Sequence, residues 1–533
     1  MKRFLYFLLF VNVMALVSCK DVEWEEGLKP IEISLSLSQI GEQVVELSGE
    51  NPTYTFEILK NYPMLNTTAS LAVMSQNELG GYTPLTEEQY TIDDVEVTFN
   101  ESEKTKKVTV EFRNITDWEP ETTYALGLSL ESSDQNVKID TKKSSLVIIL
   151  KFGEKGSASN PHRLATLNDL KTMKDKLVEG QLNYFKMVAD IDMADESWTI
   201  LNYDRKYRII FDGDNHVIKN LRCSGDAASF FGVLNDGACE NVTFENAIIE
   251  GNNTPIGIVA GIVQSSMVRN VHVSGIIRQS GGINNWDIGK AGGICGALEK
   301  SKAQISECSA DVDIQGDFVV GGIVGEATQA TLTSRSYAKG KIVSTKGFAG
   351  GIVGNMYQTT VSDCYSYGEI QVSEQAGAAG GIVGRIDRGA EIYNCYSVAS
   401  VIAKGNAGGI VGATAWGTNP NGNVIIGCVA WNEIISGTDQ NSSRITGFLN
   451  GGSTWGASCY AKTFLSVVVP GGKPQTDPYW MDSEELDTTE RAKVYNGINA
   501  DNLISTTQNI LKWNPYVWDF SEDFPCFKWE KVY

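Results

Sequence analysis

The sequence predicts an all-β chain: an Ig-like antiparallel β-sandwich followed by a right-handed parallel β-helix, with small helical or irregular caps. Three observations predict it. Hydrophobic residues at 42% and charged residues at 20% describe a chain that folds. Between residues 31 and 153, apolar and polar residues alternate over several short runs, the period of a half-buried strand. From about residue 229 a glycine-framed segment recurs about every 29 residues, and a fixed period below 50 means stacked units.

Residues 1–18 come first. Met1-Lys2-Arg3 precedes the apolar run FLYFLLFVNVMALVS at 4–18. That run is short of the roughly 20 residues needed to span a bilayer, so it reads as a signal-peptide core. The run ends Leu16-Val17-Ser18-Cys19, which resembles the lipobox of bacterial lipoproteins. The resemblance implies cleavage before Cys19 and acylation of its thiol; an ordinary secreted protein with an incidental Cys19 is the other reading. Residues 19–30 form an acidic tether with Asp21, Glu23, Glu25 and Glu26. It resembles the surface-export signal of Bacteroidota-type lipoproteins, which implies an outer-membrane protein that meets the membrane through its lipid alone and faces outward.

Residues 31–153 supply the sandwich. Ile33, Leu35 and Leu37 alternate with serines, and Val95, Val97 and Phe99, Val108, Val110 and Phe112, and Leu126, Leu128 and Leu130 repeat the pattern. Leu146 to Leu150 is apolar at every position, which predicts a strand covered on both faces. About seven short strands suit an antiparallel sandwich. The stretches IEISLSLS, YTIDDVEVTF and SLVIILKF resemble a domain of unknown function that follows the anchor in such lipoproteins, implying a spacer.

Residues 154–228 read as a linker and lead-in cap. Thr166 and Asp169 mark a helix start, with Leu170, Met173 and Leu177 on one face. Asp190 and Asp192 are candidate paired carboxylates for acid–base work or calcium; the plainer reading is that they cap turns.

Residues 229–465 hold the repeat. Five segments read GGI[VC]G, with Gly293-Ile294, Gly322-Ile323, Gly351-Ile352, Gly381-Ile382 and Gly409-Ile410 at equivalent places. Stacking predicts an inward isoleucine ladder with rungs roughly 4.8 Å apart. The glycine density suits corners with positive φ or close backbone approach. Between the glycine segments, Cys308, Cys364, Cys395 and Cys428 share one repeat position, with Ser336 substituting once. They predict a buried ladder of small side chains, since a required disulfide would not accept serine, and no CxxC pair offers zinc a site. The array resembles the GLUG-motif repeats of bacterial surface proteins. That resemblance covers roughly residues 229–460 and implies a surface role.

Tyr337, Tyr365 and Tyr396 follow this small-residue position and are expected to point outward, either as an exposed aromatic stripe or beneath the chain's own loops. Trp286, Trp416 and Trp455 lie in or beside longer loops, where solenoids carry binding surfaces. Residues 466–533 read as a C-terminal cap over the open end of the solenoid.

The formal charge of −21 argues against nucleic acid, whose binders need a basic footprint. His162, His216 and His272 are followed by Arg163, Val217 and Val273, so no HExxH metallopeptidase motif is present, and neither a GxSxG nor a Walker sequence appears. Arg385, Asp387, Arg388 and Glu391 form the densest charged cluster and read as a solvated turn. The expectation is a non-catalytic binding or adhesion module without cofactor or metal, its ligand an extracellular glycan or protein. The alternatives are a polysaccharide-capture protein of an outer-membrane uptake system and a β-helix polysaccharide lyase or hydrolase.

Overall fold

The computed structural model describes residues 32–47, 52–63, 65–119, 122–132, 134, 136–252, 254–281, 289–329, 331–374, 377–414, 422–437, 442–448, 454–463, 465–468 and 497–531. Cys19, Trp286, Trp416 and the side chain of Trp455 lie outside them. Among the described residues, no helix is long and apolar enough to cross a membrane. The chain divides into two compact units, one ending at Gly153 and completed by Ala158–Asn160, the other holding Glu154–Ser157 and everything from Pro161 on.

The first unit is a β-sandwich of one five-stranded and one six-stranded sheet. Alternation places Ile33, Leu35, Leu37, Val97, Phe99, Val108, Val110 and Phe112 in its core. Val95 departs from this: it precedes the strand Glu96–Phe99 and is exposed. In the strand Ser145–Lys151, Leu146, Ile148 and Leu150 face the sandwich core, while Ile149 packs with Leu79 and Ala125 on the other side. The wholly antiparallel expectation needs correction. Ile33–Leu37 runs parallel to Val137–Ile139 in one sheet, and Gly41–Glu46 runs parallel to Ser145–Lys151 in the other. The first and last strand pairs switch sheets together and so stay side by side.

The second unit is a parallel β-solenoid of about nine turns. Its longest sheet runs from His162–Leu164 to Ile498–Ala500, an eight-stranded sheet from Phe231–Asn235 to Thr446–Phe448, and a six-stranded sheet from Lys290–Gly292 to Ser442–Ser443. Parallel pairing thus begins well before Ser229, inside the expected lead-in cap. Those first coils lack the glycine signature. Phe211, Phe230, Phe231 and Phe244 fill them with edge-to-face aromatic packing instead. The helix Leu167–Lys171 opens with a capping box: Asp169 N donates to Thr166 Oγ1 at 3.2 Å and Thr166 N to Asp169 Oδ2 at 3.0 Å. Its buried Leu170, with Met173 beyond it, closes the start of the core.

The isoleucine ladder is as expected. Ile294, Ile323, Ile352, Ile382 and Ile410 are fully buried. Each amide donates to the carbonyl of the next, at 2.9–3.0 Å from Ile294 through Ile382. The glycine beside each isoleucine is required by close approach. A Cβ on Gly351 would run into Gly381 O, and one on Gly381 into Gly409 O, far inside van der Waals contact. The positive φ angles of the corner lie elsewhere, at the residue before the small-residue ladder: Asn241, Asn270, Glu307, Arg335, Asp363, Asn394, Gly427 and Ser458 all have φ between 47° and 67°. Asparagine and aspartate tolerate that region better than most residues, and here their side chains also link successive coils, as Asn270 Nδ2 does by donating to Asn241 Oδ1 at 3.0 Å.

Cys308, Cys364, Cys395 and Cys428 are buried free thiols, and Cys459 extends the column. Each Sγ lies near the carbonyl two residues earlier, 3.2 Å for Cys308 and Cys364 and 3.1 Å for Cys395. Ser336 Oγ makes the same bond to Ser334 O at 2.7 Å. The position takes a small side chain: Val242 and Val271 fill it in the first coils, and cysteine or serine in the later ones, where each donates to the carbonyl two residues earlier. Burial pushes the Cys308 thiol up to about 12, which keeps it protonated.

Candidate functional site

The residue after the small-residue ladder forms a second column. Register places Thr243, His272, Ser309, Tyr337, Tyr365, Tyr396, Val429, Tyr460 and Ile498 on successive rungs. Rung spacing makes the tyrosines stack: Tyr337 and Tyr365 have ring centroids 4.8 Å apart at 3°, and Tyr365 and Tyr396 5.0 Å apart at 19°. The stripe exists, but it is not a binding platform open to solvent. Tyr365 is 2% exposed and Tyr396 0%.

The cover is the chain's own C-terminal segment. Ile498–Ala500 adds a rung beside Tyr460–Lys462, a short helical stretch follows from Leu503 to Ile510, and residues 511–531 then lie across the column as a strap. Of the expected end cap, residues 469–496 lie outside the described residues, Ile498–Ala500 extends the stack by a rung, and the strap covers the side of the coils. Trp513, Trp518, Phe527 and Trp529 bury the tyrosines. Tyr365 Oη donates to both carboxylate oxygens of Glu530 at 2.7 Å, and Tyr396 Oη donates to Pro525 O. Two indoles reach the left-handed corner: Trp518 Nε1 donates to Asp363 Oδ1 and Trp513 Nε1 to Gly427 O, both at 3.2 Å. Burial raises the Glu530 and Tyr365 pKa values and lowers that of His272.

His272 Nδ1 lies 2.9 Å from Ser309 Oγ, and Nε2 lies 3.2 Å from Asn270 Oδ1. This is the order of a nucleophile, base and orienting group. The ring is stacked under Trp529 with centroids 5.3 Å apart, so the set works as an anchor for the strap. Asp190 and Asp192 cap turns. Asp190 Oδ1 accepts from Val217 N at 3.0 Å and faces His216 Nδ1 at 3.1 Å; Asp192 Oδ1 accepts from Asn220 Nδ2 at 2.9 Å and Ala194 N at 2.8 Å. The Val217 amide first, and the Asn220 side chain first, lower the two pKa values, so neither carboxyl is tuned as a general acid. Among the described residues, no cluster of three or more His, Cys, Asp or Glu could hold a metal ion.

The polar concentration not taken up by the strap lies on the glycine-bearing sheet. Register stacks Ala297, Glu326, Asn355, Arg385 and Ala413 in one column, and Thr328, Tyr357 and Asp387 in the next. Lys290 pairs with Glu326, both largely buried. Asn355 Nδ2 donates to Glu326 Oε2 at 2.8 Å, and Arg385 reaches Asn355 Oδ1 and Asp387 Oδ2 at 3.4 Å each. The Arg385 guanidinium stands 5.3 Å from the Phe348 ring centre, and that of Arg388 6.0 Å from Tyr357. Asp387 is 9% exposed, and its Oδ1 has no hydrogen-bond partner among the described residues. This row corrects the solvated-turn reading for Arg385 and Asp387, which stand on the strand Val383–Asp387; Arg388 is exposed in the bend that follows. Glu391 belongs to another strand, Glu391–Tyr393, and Thr360 Oγ1 donates to it at 3.4 Å. The signal that could have found the row was the polar residue two places after each GGIVG valine: Glu326, Asn355 and Arg385.

No family model matches the chain. It is similar to halomucin of Haloquadratum walsbyi, 29% identical over 33% of this chain and 2% of halomucin. It is also similar to the immunoglobulin A1 protease of Streptococcus sanguinis, 27% identical over 32% of this chain and 9% of that protein. The match therefore spans a small fraction of these curated relatives. A crystal structure from Bacteroides ovatus, provisionally assigned as an immunoglobulin A1 protease, aligns over 70% of this chain and 94% of its own at 28% identity, with a TM-score of 0.42.

Proposed function

We propose that the chain is a non-catalytic binding or adhesion module, carried at the outer surface of the cell by a lipid on Cys19, with GLUG-type coils as its platform and the sandwich as a spacer. One observation carries this reading. The strap takes the tyrosine stripe out of use, and the largely buried row Glu326, Asn355, Arg385 and Asp387, with Phe348 and Tyr357 beside it and Arg385 its most accessible member, is the polar concentration that remains on the described coils. Polar groups fixed on rigid strands suit recognition. The curated relatives are far larger than the stretch matched, which supports a repeat module built into bigger proteins. Capture of a polysaccharide is the second reading, favoured by the mixture of planar polar groups and rings in that row.

The test uses the protein extracted in non-ionic detergent. Affinity electrophoresis against plant and host polysaccharides, with a parallel array of extracellular matrix proteins, should give at least one ligand whose binding falls in Arg385→Ala while the thermal midpoint holds. Binding unaffected by Arg385→Ala, or none at all, overturns the assignment to this row.

A further inference from the structure

We infer that Tyr203 and Arg205, on a corner of the first coils, bind a hexuronate unit of an acidic extracellular glycan. The inference rests on the binding-module reading above, but not on the assignment to the Arg385 row. Two loops lead into neighbouring rungs of the longest sheet: residues 177–181 into Leu182–Met187 and residues 202–207 into Arg208–Lys219, where Leu182 pairs with Arg208. A buried asparagine holds each loop. Asn183 Oδ1 accepts from Val178 N at 2.7 Å, and its Nδ2 donates to the carbonyls of Val178, Gln181 and Arg208 at 3.1 Å. Asn202 Oδ1 accepts from Tyr207 N at 3.0 Å, and its Nδ2 donates to Tyr207 O at 2.7 Å and Val233 O at 2.9 Å. Gly232 lets the second loop sit close, since a Cβ there would stand 2.9 Å from Tyr203 Cα. The result is a rigid loop whose own side chains are left outside the packing. Tyr203 is 56% exposed, and Arg205 and Lys206 are exposed beside it.

The chemistry of the corner selects the ligand. Arg205 has φ 63°, a backbone that few residue types adopt, and the turn bond from its amide to Asn202 O at 3.3 Å holds it there. Its side chain crosses two rungs to Gln264 Oε1 at 3.4 Å, and Gln264 Nε2 is tied to Asn235 Oδ1 at 3.2 Å. One long bond orients the guanidinium and leaves most of its N–H groups for a ligand, and a planar fork of this kind matches a carboxylate. The exposed Tyr203 ring offers a face to the C–H side of a pyranose. A hexuronate joins that side and a carboxylate in one ring. A protein partner takes about 20–30 residues a side, far more than these two loops expose. The chain carries −21, but exposed charges more than about 10 Å away are largely screened at 0.1 M salt, so the local set decides. There Asp204 pairs with Lys206 at 3.0 Å and Glu179 also acts on it, which leaves Arg205 and Arg208 as the exposed cations that face an anion.

The experiment is affinity electrophoresis of the detergent-extracted protein through gels containing polygalacturonate, alginate, mannan, galactan or dextran sulfate, with Tyr203→Ala, Arg205→Asn, Arg205→Lys and Arg385→Ala alongside and the array of matrix proteins in parallel. Asparagine accepts left-handed backbone, so Arg205→Asn removes the guanidinium and keeps the turn; the thermal midpoint checks each variant. The expected result is retardation by polygalacturonate or alginate, weakened about tenfold or more in Arg205→Asn. Retardation should also fall in Tyr203→Ala and in Arg205→Lys, which keeps the charge without the fork, and hold in Arg385→Ala. Uronate binding unchanged in Tyr203→Ala and Arg205→Asn overturns the site. Retardation by the neutral polymers alone, or by dextran sulfate alone, overturns the uronate ligand. Binding of a glycan or protein that only Arg385→Ala abolishes overturns this inference and leaves the platform reading standing; no ligand of any kind overturns both.

Discussion

Trp529 fills the gap that Ser309 leaves in the aromatic column. His272 and Tyr337 stand on the rungs to either side of Ser309, and the Trp529 indole stacks on both, with centroids at 5.3 and 5.8 Å. A small residue on that one rung makes the slot, and the strap supplies the missing ring. Ser309→Tyr is therefore expected to expel Trp529, at an overpacking cost of about 1–3 kcal/mol, and to loosen residues 511–531. Hydrogen exchange should rise there and stay low in the coils. Ser309→Ala, which leaves the slot open, should keep the strap protected; equal loosening in both variants would refute the slot.

His272 gives the strap a pH response. Burial lowers its pKa from the ordinary 6.5, so between 6.5 and the folded value the unfolded chain binds a proton that the folded chain does not. Stability is full above about pH 6.5 and falls as the medium becomes more acidic. Glu530 works in the opposite direction: its pKa is raised, so stability falls as pH rises from 4.5 through its folded value. The expected outcome is a thermal midpoint that falls as the pH drops below about 6.5, a fall that His272→Gln lessens and Glu530→Gln deepens, while His162, whose pKa burial also lowers, keeps part of it. A profile that His272→Gln leaves unaltered would contradict it.

The small-residue column predicts which substitutions it accepts. Cys395→Ser should cost no more than about 1.5 kcal/mol, because Ser336 already makes the same bond to the carbonyl two residues back. Cys395→Leu should cost more, since the site has no room for added methylenes. Chemical denaturation measures both. Cys308, Cys364, Cys428 and Cys459 should resist a thiol reagent in the folded protein and react on unfolding.

Gly381→Ala should destabilise the solenoid by about 3 kcal/mol. The new Cβ would strike the Gly409 carbonyl and meet Ser397 Oγ at 2.6 Å, and backbone held by the ladder bond Ile382 N to Ile410 O cannot yield cheaply. An unchanged urea midpoint would show that the coils are looser than this packing implies.

The fold was legible where the chain repeats itself. Successive coils force Ile294, Ile323, Ile352, Ile382 and Ile410 into one environment, and a period of about 29 residues displays it directly. The coils between His162 and Asp226 were hidden because Phe211, Phe230 and Phe244 do by bulk what the glycine segments do by close approach. The strap could not be read from local pattern: Trp518, Phe527 and Trp529 look like any aromatic-rich tail until rungs more than a hundred residues earlier are placed beneath them. The row ending at Asp387 was missed for a related reason. Its members stand a full repeat apart, and only stacking brings Glu326, Asn355 and Arg385 together.

The covered tyrosines also fix an order of events. Coils can stack as the chain is delivered, each templated by the one before it. The column from His272 to Tyr396, however, is covered, among the described residues, by residues 511–531, which follow the coils in the chain. Until that segment arrives, the growing solenoid carries a bare aromatic strip along one side. Closing it is a single late intramolecular event, and a molecule that has completed it is distinguishable on its surface from one that has not.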